Sequence, residues 1–149
     1  MIQLTRIFLI SLLVLSCSKK VKYIDKEINI NVVPLPKKVE VVESNKYILL
    51  PKKIKVFIDS DETKNLFDLI SKDFKKLNYS NSFELITNKK RSDLSLEIDN
   101  ELDEDDYEIK INNKIIIKGG SLNAIKMARS TILQLSENYN GRISLPIIN

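Results

Sequence analysis

Lys53 to Asp59 reads "KIKVFID", and its apolar positions alternate, with Ile54, Val56 and Ile58 falling on one side. Successive side chains of a strand point to opposite faces, so this is the pattern of a strand with one buried face. The period recurs in "DLSLEID", through Leu94, Leu96 and Ile98, and in "YEIKI", through Tyr107, Ile109 and Ile111. "SFELIT" adds a further short strand. "YEIKINNKIIIK" holds two apolar runs on either side of Asn112-Asn113, a pair that accepts positive φ, and it reads as a β-hairpin. Upstream, "INVVPLPKKVEVV" carries Pro34 and Pro36, which remove ladder donors at two places. An extended edge segment is predicted there, continuing as short strands through Val39, Val41 and Tyr47 to Leu50.

The period changes twice. Between Glu62 and Leu77 the apolar residues are Leu66, Phe67, Leu69, Ile70, Phe74 and Leu77, which is helical spacing. Asp59, Ser60 and Asp61 offer N-caps, and Lys75 and Lys76 suit the negative end of the helix dipole. "NYSNS" then breaks the helix. A second helix is predicted from the N-cap Ser121 to about Glu137, with Leu122, Ile125, Ala128, Ile132 and Leu135 as its buried stripe. Asn138 to Gly141 ends it, and "ISLPIIN" is extended. The order strands, helix, strands, hairpin, helix predicts an α+β fold: one small mixed β-sheet with two helices packed on one face.

Composition removes several chemistries. The 149 residues suit a single domain with a real core, 43% of them being hydrophobic. Net charge is +4, but Asp and Glu interrupt the lysines along the whole chain, so no basic stripe for a nucleic acid is expected. No His is present, so the commonest general base and metal ligand is missing. One Cys excludes an internal disulfide and a thiolate zinc cluster. The absence of Trp disfavours a stand-alone carbohydrate-binding module, which stacks sugars on aromatic faces.

Three stretches invite a chemical reading. Gly119-Gly120 lies between an apolar run and a helix, the order used by phosphate-cradling loops. A dinucleotide loop needs G-x-G-x-x-G, and Ser121 and Ala124 occupy the second and third of those places. The Gly-Lys-Ser/Thr of a P-loop is missing as well, so no nucleotide is expected. The glycines read instead as a tight strand-to-helix turn with a positive φ and close packing of helix on sheet. "ELDEDD", Glu101 to Asp106, holds five carboxylates in six residues, but lacks the alternate spacing and central Gly of a calcium loop. It reads as a solvated acidic loop. Asp59, Asp61 and Glu62 sit at a helix start and read as caps rather than as an acid/base pair. No catalytic, cofactor-binding or metal-binding residue is assigned.

The N-terminus carries an address. Arg6 precedes an apolar run from Ile7 to Leu15, broken only by Ser11, which is too short to span a bilayer and right for a signal peptide. "VLSC" follows and resembles the lipobox of bacterial lipoproteins, with Cys17 as the residue lipidated after cleavage. Residues 1–16 then form the signal peptide and 17–28 a polar tether. Loss of Arg6 leaves 23 basic against 20 acidic residues, a mature charge of +3. Ser18 rather than Asp follows Cys17 and favours outer-membrane delivery, so a lipid-anchored envelope location is expected. The pattern Asn78-Tyr79-Ser80 matches a glycosylation sequon, which carries no meaning in such a protein.

Taken together, "INVVPLPKKVEV", "KIKVFID", "DDYEIKI", "KIIIKGGSLNAIKMARSTILQL" and "ISLPIIN" resemble one module. It is the N-terminal domain that precedes the catalytic barrel of bacterial β-N-acetylhexosaminidases, glycoside hydrolase family 20, and a similar domain precedes family 84 barrels. Pro34 and Pro36 match the family's P-x-P opening, and Asp106-Tyr107 its Gly-Tyr strand start, with Asp in place of Gly. Gly119 matches the turn. Thr131, Leu133, Gln134 and Leu135 match its "T-L-x-Q-L" helix end, offset by Ile132. The family's later Gly is Ala124 or Ile125 here. The resemblance covers about residues 29–149. It implies a small sheet with two helices, and an accessory role beside an enzyme that removes terminal N-acetylhexosamines. The family's Asp-Glu pair sits in the barrel, which takes about 250 residues. No residue here inherits a catalytic role, and the domain is expected to be inert alone. The implied partner is a hexosaminidase barrel, in cis or as a separate chain. The alternative is a stand-alone envelope lipoprotein that binds a glycan or a protein.

Overall fold

The computed structural model describes residues 21–28, 30–33, 40–41, 45–60 and 64–148. In chain order the elements are β1 (Lys22–Asp25), β2 (Lys46–Leu49), β3 (Lys53–Ile58), α1 (Lys64–Lys76), β4 (Ser82–Ile86), a 3₁₀ turn (Lys89–Arg91), β5 (Leu94–Ile98), β6 (Tyr107–Ile111), β7 (Ile115–Gly119), α2 (Leu122–Leu135), β8 (Glu137–Tyr139) and β9 (Arg142–Pro146). Pro34, Pro36, Val39, Asp61 and Glu62 lie outside the described residues, as do Cys17 and the signal peptide.

The class is α+β, but the strands divide into two sheets rather than one. A five-stranded mixed sheet runs β4-β3-β5-β7-β6, and a four-stranded antiparallel sheet runs β1-β2-β9-β8. In the first, β3 pairs parallel with β4 and β5, β5 pairs parallel with β7, and β6 closes the edge antiparallel to β7. Ile148, two residues past β9, bridges to Val41 and Ile111, so the two sheets meet at the end of β6.

The alternating positions do what their period predicts. Ile54, Val56, Leu94, Leu96, Ile115 and Ile117 are buried on the face that receives the helices. Against them α1 buries Leu66, Ile70 and Phe74, and α2 buries Ile125, Ala128, Ile132 and Leu135. Each of these Leu, Ile, Val and Phe side chains contributes about 1.5–3 kcal/mol when fully removed from water. Phe74 stacks on Phe83 of β4 at 5.6 Å and meets the edge of Tyr79 at 5.8 Å. The second sheet adds Ile48, Leu50, Ile143 and Leu145 to the same core. Asn81, almost fully buried, joins the sheets: its amide N donates to the Pro51 carbonyl and its oxygen accepts from Ile143 N–H, each at 2.8 Å.

Several local expectations change. Lys22–Asp25, read as part of a polar tether, is an edge strand paired antiparallel with β2. The Asp59 carboxylate accepts Ile98 N–H at 2.7 Å, tying the end of β3 to β5, while the residues just before α1 lie outside the described ones. The β6–β7 hairpin closes through residues 112–114 with no positive φ, and Asn112 Oδ1 accepts Asn113 N–H instead. Ser121 does cap α2, accepting Ala124 N–H at 3.2 Å. That helix ends two residues earlier than predicted. Ser136 turns its hydroxyl and its N–H onto the Leu133 carbonyl, and Glu137 to Tyr139 become a strand. The Asn140-Gly141 pair then takes φ of 51° and 78°, the left-handed geometry that joins a two-residue hairpin, so β8 turns directly into β9.

Candidate functional site

The two glycines that open α2 adopt no positive φ, contrary to the sequence reading. Their requirement is space. A Cβ at Gly119 would stand 2.8 Å from Ile125 Cγ1 and 3.1 Å from Ala124 Cβ, and one at Gly120 would overlap the Asp103 carbonyl. The place of an additional loop glycine is thus taken by Ala124, fully buried against the strand end. Gly120 N–H donates to the Asp106 carbonyl rather than standing open to an anion.

The acidic loop from Asp99 to Asp106 is organised by its own backbone. Leu102 N–H donates to the Asp99 carbonyl, Asp106 N–H to the Asp103 carbonyl, and Glu101 N–H to Asp99 Oδ1. Lys118 Nζ lies 2.7 Å from Asp99 Oδ2. That hydrogen bond, with the Glu101 N–H second, holds the Asp99 carboxyl below its ordinary range, and Asp99 in turn raises the Lys118 ammonium. Among the described residues no group of three or more carboxylates converges as a metal cage.

On the face of the five-stranded sheet away from the helices, the 3₁₀ turn brings Lys89 Nζ to 2.7 Å from Glu97 Oε2. Ser95 Oγ and Glu97 Oε1 make no hydrogen bond beneath it. Between the helices, Arg129 faces Asp73 at 3.5 Å. A shallow hollow of about 390 Å³ lies at the carboxyl ends of β3 and β4, between Phe57, Asp59, Lys64, Ile86 and Thr87. Its carboxylate, Asp59, is engaged by the Ile98 N–H.

The motif residues have plainer and more definite duties. Tyr107 Oη and Thr131 Oγ1 are 2.8 Å apart, so the strand start and the helix end noted in the sequence touch each other. Gln134 grips the N-terminal extended segment at both polar backbone atoms of one residue: Val33 N–H donates to Oε1 at 2.8 Å, and Nε2 donates to the Val33 carbonyl at 3.0 Å. This side chain thereby pairs as a strand would, and seats the neighbouring Val32 in the core with 1% of its surface exposed. Spacing alone gave no signal for that clamp, because its two ends are 101 residues apart.

These contacts tie the strand start, the helix end and the N-terminal extended segment into one module. Residues 29–149 match the sequence profile of glycosyl hydrolase family 20, domain 2, and the chain belongs to that family. No curated protein is significantly similar in sequence. Among solved structures, β-N-acetylhexosaminidase from Bacteroides fragilis superposes with a TM-score of 0.68 at 17% identity, over 80% of this chain and 24% of that one. The exo-β-N-acetylglucosaminidase of Vibrio harveyi gives 0.70 at 17% identity, over 89% and 21%. The chitobiase of Flavobacterium johnsoniae gives 0.60 at 21% identity, over 80% and 20%. The chain therefore spans about a fifth to a quarter of the length of these structures.

Proposed function

We propose that this chain is the accessory domain of a β-N-acetylhexosaminidase acting on terminal N-acetylhexosamines, and that it braces a family 20 barrel while catalysing nothing itself. The observation that carries the reading is the family match, which spans residues 29–149 and so takes in nearly every described element. Structural contacts made by three of its carboxylates support the second half. Asp59 and Asp99 are both held by backbone N–H groups, and Glu97 faces Lys89. The test is an assay of aryl N-acetylglucosaminide hydrolysis by the chain alone and with a family 20 barrel from the same genome. No release alone and a more stable or more active barrel in the mixture are expected. Release of nitrophenol by the chain alone would refute inertness, and a barrel indifferent to the chain would refute bracing.

We further propose that the chain reaches the cell envelope as a lipoprotein acylated on Cys17, supported by the "VLSC" that follows the apolar run. Two or three acyl chains anchor firmly, at about 0.8 kcal/mol per buried CH₂. Cys17→Ala is expected to move the protein from the membrane to the soluble fraction. A variant that stays membrane-bound would refute the acylation.

A further inference from the structure

One corner of the domain collects positive charge where the chain enters from its N-terminus. Lys22 opens β1 opposite Leu49, the last residue of β2. The turn that follows, Leu50 to Lys53, is tied to two other loops at this corner. Leu50 N–H donates to the Ile143 carbonyl, and Ser82 N–H to the Lys52 carbonyl. Ser80 donates both N–H and Oγ–H to the Gly141 carbonyl. The four stretches 21–22, 50–53, 75–82 and 139–142 thus converge. They hold Lys22, Lys52, Lys53, Lys75, Lys76 and Arg142, and not one Asp or Glu. Two cations are partly occupied, Lys53 by Glu84 at 3.1 Å and Arg142 by the Leu50 carbonyl. Around them Tyr23, Leu77 and Tyr139 are 46%, 49% and 41% exposed. The carboxylates of residues 99–106 lie at the opposite, carboxyl end of the five-stranded sheet.

The position of β1 gives this polarity a direction. Lys22 stands only five positions beyond Cys17. Fully extended they span at most about 18 Å. We propose that this corner lies on an anionic phospholipid surface, which orients the domain with its acidic end outward; the proposal rests on the Cys17 lipid-anchor reading. The chemistry suits the site. Lysines near a bilayer are drawn to anionic headgroups within about a Debye length, and tyrosines favour the interfacial layer. A long flexible tether would let the domain tumble. A strand beginning five residues from the lipid does not.

The test uses the full acylated chain reconstituted in vesicles. With Cys17 acylated, Ser82→Cys and Glu104→Cys each supply one free thiol for a dye, at the basic corner and at the acidic end. Energy transfer to a headgroup acceptor is read in phosphatidylethanolamine vesicles with and without one-third phosphatidylglycerol. Stronger transfer from position 82 than from 104 is expected with phosphatidylglycerol. That difference should collapse without the anionic lipid and at about 1 M salt, where the Debye length is about 3 Å. It should also collapse in Lys52→Glu/Lys75→Glu/Lys76→Glu, whose fold is checked by circular dichroism. Equal transfer from the two positions, or transfer indifferent to lipid charge, overturns the orientation while leaving the anchor standing. Mass spectrometry showing an unmodified Cys17 overturns the anchor and the orientation with it.

Discussion

Gln134→Ala removes both hydrogen bonds that hold Val33 to α2 while leaving the helix its propensity. A typical intramolecular hydrogen bond contributes about 0.5–1.5 kcal/mol net, so two are worth about 1–3. Val33 is 76% exposed and water replaces part of that loss, which places the cost in the lower half, about 1–2 kcal/mol. The loss is local, because Gln134 is exposed and the core behind it keeps Leu135 and Ile132. Amide hydrogen exchange at Val33 is the direct readout, since its N–H is the donor. An opening cheaper by one or two kcal/mol accelerates exchange about 5–30-fold. Exchange at β5 and β7 amides should hardly change. Gln134→Glu keeps an acceptor for the Val33 N–H but loses the donor to its carbonyl, and should fall between. Unchanged protection at Val33 in the alanine variant would refute the clamp, and equal loss of protection across β5 and β7 would refute its local character.

Three further outcomes follow from the packing. Tyr107→Phe leaves the buried Thr131 hydroxyl without its partner and should cost about 1 kcal/mol, whereas adding Thr131→Val should recover most of it; a double-mutant cycle with no coupling would contradict the contact. Gly120→Ala drives a Cβ into the Asp103 carbonyl and should lower thermal stability through overpacking, by about 1–3 kcal/mol, while Gly141→Ala meets only ordinary contact with Ser80 and pays the left-handed cost of about 1–2 kcal/mol. A melt in which Gly120→Ala matches wild type would refute the steric reading. Asp99 has its carboxyl lowered by Lys118, so its contribution is full above the ordinary carboxylate value of 3.8 and is lost as pH falls through the lowered one. Lys118 is raised, so its share is present below 10.5 and is lost as pH rises through the raised value. Lys118→Gln should flatten stability at both extremes, and identical pH profiles of variant and wild type would count against the pair.

Sequence patterning reached the elements whose burial is one-sided. Ile54, Val56, Leu94 and Leu96 alternate because one face of each strand meets helices, and that is a local signal. The second sheet was hidden for a physical reason. Its strands are short and bury several consecutive residues: Tyr47, Ile48, Leu49 and Leu50 are all at most 4% exposed, so no alternation marks a face. β1 was missed because "KYID" is charged and mostly exposed, the usual dress of an edge strand. The Asn140-Gly141 turn was legible in principle, being a preferred two-residue hairpin pair, but β8 has only three residues to announce it. At Gly119 and Gly120 the close approach was expected correctly, and the positive φ was not needed, because the obstacles are the first turn of α2 at Gly119 and the acidic loop at Gly120. The clamp and the Tyr107–Thr131 contact rest on pairings across long sequence gaps, which no local period encodes.

The antiparallel sheet also sets a schedule. Its order, β1-β2-β9-β8, seats the last strand of the domain between strands made at opposite ends of the chain. Until Arg142 to Pro146 are available, β2 has no partner on one side, and the apolar run from Tyr47 to Leu50 faces water or another chain. Pairing across such a separation is slow to find, because loop closure must precede any reward. A nascent chain halted before residue 142 therefore holds a half-built sheet with a sticky margin. That margin stays open to pairing with another chain until the strand from Arg142 to Pro146 is made.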